Sequence, residues 1–139
     1  MTSKHTVGVK LAAVAVLLVC GVAIVRSEGR VLTPLKLNTQ SSTYDQKKVV
    51  VRAWLDYGFE RRHLLQFSPS ERPGSTEDVN DPSCTSIEVP ARLASAARKL
   101  NHSYVLVSGV FFADLAGERV FLGLCNKSGV RASSIKAAS

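Results

Sequence analysis

No glycine-rich phosphate loop occurs in the 139 residues, and no Cys-x-x-Cys or Cys-x-x-His spacing. P-loop nucleotide chemistry and a structural zinc site are therefore not expected. No cofactor is expected either. His63 and His102 have no paired nucleophile, and no two carboxylates are spaced as acid and base partners; Asp56 and Glu60 bracket a turn and read as its solvated charges. Ser133-Ser134-Ile135-Lys136 matches Ser-x-x-Lys, a pairing that works on a helix. On a strand an odd offset puts the two side chains on opposite faces, so the match reads as accidental. The chain is accordingly expected not to be an enzyme.

Acid is the scarcer charge, with 11 Asp and Glu against 18 Lys and Arg and a net charge of +7. Such an excess attracts nucleic acid, anionic lipid or acidic protein at long range. Lys4, Lys10, Arg26 and Arg30 flank an apolar run, however, which leaves the rest of the chain only mildly basic. Charge alone supplies non-specific nucleic-acid binding and no more, so nucleic acid is not the expected partner. Cysteine is sparse as well. Cys20 lies inside the apolar run, where it reads as a small hydrophobe; a lipidated Cys20 is disfavoured by the bulky Val19 before it. Cys84 and Cys125 are left as either a disulfide, if the domain meets an oxidising compartment, or two buried thiols.

The apolar run, residues 11–25, reads LAAVAVLLVCGVAIV without a charge. As a signal peptide it has a basic start and small residues at Gly21 and Ala23 for cleavage. As an uncleaved helix it extends over residues 7–25 if Lys10 snorkels, which makes the membrane a partner and is the preferred reading. Either way the remainder is expected on the extracytoplasmic, periplasmic side, anchored or secreted. Three regions follow: a signal peptide or anchor helix over 1–26, a polar linker over 27–47 and a folded domain over 48–139. Within the linker, 31–37 alternates weakly and suits an extra edge strand, with Pro34 confining it to an edge.

The domain opens with alternating residues at 49–58 and a second strand at 62–67 after a short turn, the pattern of an antiparallel hairpin. Residues 68–83 hold Pro69, Pro73, Gly74 and Pro82 and read as a long loop. A short strand at 85–89 precedes a helix that Pro90 opens, with Leu93, Ala96, Ala97 and Leu100 on one stripe. The most distinct strand is 104–114, where Gly109 in mid-strand predicts a bulge or barrel corner. Further strands are expected at 120–124 and 130–135.

Three strands, a helix and two strands is the order of an OB-fold. VVVRAWLDYGFE, from residue 49, resembles the first strand of OB-fold domains, and SYVLVSGVFFAD, from residue 103, their fourth. The combination with an apolar leader is similar to small bacterial envelope proteins of unestablished activity. The resemblance implies a mainly β fold, an OB-like β-β-β-α-β-β barrel with an N-terminal apolar helix, and a non-enzymatic binding domain outside the cytoplasm that contacts a protein or extended ligand. Its alternatives are an oligonucleotide-binding module and a secreted soluble protein. OB-folds bind oligonucleotides across their second and third strands with stacking aromatics. Here those strands offer His63 and Phe67 but no aromatic pair, and the intervening loop carries Glu77, Asp78 and Asp81. Arg52 and Trp54, with Arg61 and Arg62 in the following turn, are the candidate partner contacts. The competing reading is an indole packed at the barrel edge among solvated arginines.

Overall fold

Alternation along two long strands sets the architecture of the computed structural model, which describes residues 29–72, 81–117 and 123–139. The elements are β1 (Val31–Leu32), α1 (Pro34–Thr39), α2 (Ser41–Tyr44), β2 (Lys48–Tyr57), β3 (Arg62–Leu65), β4 (Cys84–Glu88), a 3-10 turn (Ala91–Leu93) leading into α3 (Ala94–Lys99), β5 (Ser103–Phe112) and β6 (Gly129–Ala137). Val49, Val51, Ala53 and Leu55 of β2 are buried opposite Gly109, Val107, Val105 and Ser103 of β5. With a period of two, the next residue along each strand must point outward.

The sheet closes on itself. β2 pairs antiparallel with β3, β3 with β4, β6 with β5 and β5 with β2, while β4 and β6 run parallel. Each of these five strands is paired on both sides, and their order with α3 between β4 and β5 is OB-like. Ala97 of α3 enters the core, with Leu93 and Leu100 packed beside it. The bulge expected at Gly109 is present: Ser108 lies opposite Ser134 and Gly109 opposite Ala132, leaving Ser133 as the extra residue. A Cβ on Gly109 would run into the Arg131 carbonyl.

The stretch read as a linker contains packed structure. β1 pairs in parallel with β2 at Val50 and Val51, where β3, which spans only the Trp54–Tyr57 part of β2, leaves that side open. Strand geometry ends at Leu32, because Pro34 takes the first helical position, where its missing N–H costs nothing, and Thr33 Oγ1 accepts from Lys36 N. Leu37 is fully buried in the main core, and Asn38 Nδ2 donates to the carbonyls of Pro82 and Cys84.

The fold class needs correction at its N-terminal end. The apolar helix expected over 1–26, and the membrane partner assigned to residues 7–25, lie outside the described residues. Among the described residues no helix is long and apolar enough to cross a membrane. The observed class is a five-stranded barrel with an added strand and short helices, and the transmembrane anchor, the membrane partner and the membrane or periplasmic placement lose their structural support. The strand expected at 120–124 lies largely outside the described residues, as do 73–80 of the long loop; Leu124 is not in a strand.

Candidate functional site

The outward residues of β2 are Lys48, Val50, Arg52, Trp54 and Asp56. Their cross-strand neighbours on β5 are Val110, Ser108, Leu106 and Tyr104, opposite Lys48 through Trp54. β6 continues the same surface, with Arg131 opposite Val110 and Lys136 opposite Leu106. Arg52, Arg131 and Lys136 are exposed, while Val50, Trp54, Tyr104, Leu106 and Val110 are half-buried, so cations rim an apolar strip.

Arg52 and Trp54 meet at Tyr104. The Arg52 guanidinium lies 4.4 Å from the centre of the Tyr104 ring, and Trp54 contacts that ring edge-on at 5.4 Å and 80°. Both geometries are attractive for a ring with a negative face and positive rim. The Tyr104 hydroxyl donates to Glu71 Oε2, which also accepts from Ser68 N at 2.8 Å and Ser68 Oγ at 2.7 Å. These bonds, the Tyr104 one foremost, lower the Glu71 pKa from 4.5 to about 2. Burial, then the Glu71 bond, raises the Tyr104 phenol above its ordinary value. Tyr104 is thus locked in position, and Arg52 has a fixed platform.

Arg61 and Arg62 lie elsewhere. Arg61 Nε is 3.6 Å from Oδ1 of the buried Asp56, whose same oxygen is 3.5 Å from His102 Nε2. Arg62 pairs with Tyr57, on the opposite side of the strand from Trp54. The hairpin tip between them carries Phe59, 92% exposed. Of the four candidate contacts, only Arg52 and Trp54 are brought together; Tyr104 and Glu71 were missed. Tyr104 was legible as a residue on one face of the most distinct strand, whereas nothing in a proline-rich loop singles out Glu71.

Beyond Lys48 the strip runs into a groove of about 700 Å³ between β1, β2 and the β5–β6 bulge. Arg30, Lys47 and Lys48 line it with Leu32, Tyr44 and Val50, and none of the described residues lining it is acidic.

The face on which OB-folds bind oligonucleotides is covered. Its outward residues here are His63 and Leu65 on β3 and Cys84 and Ser86 on β4, all buried. Cys84 is bonded to Cys125, with Cα atoms 6.1 Å apart. The segment around Cys125 is further pinned: Ser86 Oγ donates to the Asn126 carbonyl at 2.7 Å, Ser86 N to the Ser128 carbonyl, and Arg62 N to that of Gly123. Trp54 packs against the disulfide and Leu65 from the side, its Nε1 buried without a partner among the described residues. The indole is therefore both a packing residue and one wall of the strip, so the two readings of Trp54 describe one side chain.

No protein-family model matches the chain, and no curated protein matches it in sequence. A closed barrel with a half-buried, cation-rimmed face is consistent with a binding module.

Proposed function

We propose that this chain is a non-catalytic binding module that holds an extended, acidic and apolar segment of another protein along the outer face of β2 and β5. The carrying observation is the row Lys48, Val50, Arg52 and Trp54, which alternates outward on one strand and leads into a groove lined by Arg30, Lys47 and Lys48. Tyr, Trp and Arg are the residue types that dominate binding energy at protein interfaces. The Arg52 guanidinium lies over the Tyr104 ring, and a guanidinium can bind a carboxylate through two parallel N–H bonds. A single-stranded nucleic acid would suit the same residue types, but the β3–β4 face that would seat it is buried beneath the disulfide-tied segment.

Selection from a random peptide library, displayed against the oxidised protein, tests this reading. Enriched sequences are expected to alternate acidic with large apolar residues. Arg52→Glu, checked for folding by circular dichroism, is expected to weaken them at least ~10-fold, as expected for a central Arg contact. Selection that is blind to Arg52→Glu, or peptides displaced by single-stranded DNA with steep salt dependence, would transfer the site to another partner class.

A further inference from the structure

Three metal-type ligands from separate parts of the chain converge on the covered face, behind the Trp54 end of the strip on β2 and β5. An imidazole nitrogen of His63 on β3 and the Sγ atoms of Cys84 on β4 and Cys125 all lie within 4.8 Å of one another. No local motif announces them, because 20 and 40 residues separate them; strand pairing places His63 opposite Ser86, two residues from Cys84, and the covering segment brings in Cys125.

The disulfide accounts for the sulfurs but not for the imidazole. His63 is 9% exposed, and its Nδ1 has no hydrogen-bond partner among the described residues. A buried polar atom left unpaired is destabilising, so the position asks for an occupant. An imidazole nitrogen beside two sulfurs is a donor set that suits a metal ion.

The geometry points to a redox-gated site: once the Cys84–Cys125 bond is reduced, Cys84, Cys125 and His63 together bind a soft d10 cation of the zinc type. Two molecules of a thiol reductant become one disulfide as the protein S–S bond breaks and both sulfurs take up a proton. The cation then displaces those two protons and is held by two thiolates and a neutral imidazole, with one position open to water. Tetrahedral zinc, with Zn–S near ~2.3 Å, requires thiolates roughly 3.8 Å apart, a separation that rotation of the two freed side chains supplies. The reverse exchange, in which a small-molecule disulfide is reduced to two thiols as the Cys84–Cys125 bond re-forms, ejects the cation, because the bonded sulfurs no longer offer thiolates.

The test uses the full chain with Cys20→Ser, to remove the third thiol, reduced by a phosphine without oxygen and titrated with Zn²⁺ against a chromogenic chelator. One zinc per chain is expected in the reduced form and none in the oxidised form. Co²⁺ in its place is expected to give thiolate-to-metal charge-transfer absorption. His63→Gln is expected to loosen zinc by at least ~10–100-fold, and Cys84→Ser reads the same loss independently. Should the reduced, metal-free chain unfold, one equivalent of Zn²⁺ is expected to restore its circular dichroism. Equal uptake by oxidised and reduced protein, undiminished affinity in His63→Gln, or no uptake and no refolding by the reduced chain would each overturn the site.

Discussion

Tyr104 and His63 show how a single side chain sets pH dependence here. The Glu71 carboxylate, held to about 2 by Tyr104 and then Ser68, binds a proton more weakly in the fold than in the unfolded chain, where its value is 4.5. The stabilisation it brings is therefore full above the unfolded value and lost as pH falls toward about 2. Glu71 is solvent-accessible, so screening keeps that contribution small. His63 acts in the same direction through burial: its pKa lies below the unfolded 6.5, so acid favours the unfolded chain as pH falls through that value. Carboxyl NMR titration of Tyr104→Phe is expected to move Glu71 upward toward the ordinary range, with His63 unaffected. A Glu71 that already titrates near 4.5 in the unsubstituted protein would refute the hydrogen-bonded cluster.

Elements were legible in proportion to how strongly one period governs them. β2 and β5 alternate over ten residues each, so strand, register face and the Gly109 bulge could all be read from the sequence. α1 has six residues and α2 four, too few for a helical stripe, and their serines, threonines and Gln40 resemble a solvated tether. What fastens them is apolar packing and one amide: Pro34 and Leu37 are buried, Tyr44 packs on the core, and Asn38 bonds the carbonyls of Pro82 and Cys84. Leu37→Ala is accordingly expected to cost ~2–5 kcal/mol in urea unfolding, the range for emptying a buried leucine site. A tether would show no cost. The candidate site was half legible for a related reason: alternation joins Arg52 to Trp54 on one strand, but the ion pair that draws Arg61 to Asp56 depends on how the hairpin folds back.

At the scale of the whole molecule, the Cys84–Cys125 bond joins the β4 wall of the barrel to the segment leading into β6, across 41 residues of chain. Sequence left this pair open between a bond and two thiols, because the meeting of β4 with that segment follows from the parallel β4–β6 pairing, a contact without a local signature. Closing a loop of that length removes freedom chiefly from the unfolded state, worth about 4 kcal/mol on the chain-entropy account. The barrel strands themselves carry most of the core, so reduction without metal is expected to lower the unfolding free energy by about that amount. Its local effect should be uneven. The Gly123, Asn126 and Ser128 carbonyls that accept from Arg62 and Ser86 anchor the covering segment, and once the sulfurs part it is held on the β3–β4 face by these bonds and by those of Asn126 and Ser128 to Ser86, Asp81 and Asn38. Hydrogen exchange in the reduced, metal-free protein is therefore expected to quicken at the Arg62 and Ser86 amides while the β2–β5 ladder stays protected. If exchange instead rose uniformly around the barrel, the bond would be holding the barrel closed rather than clamping one segment over one face.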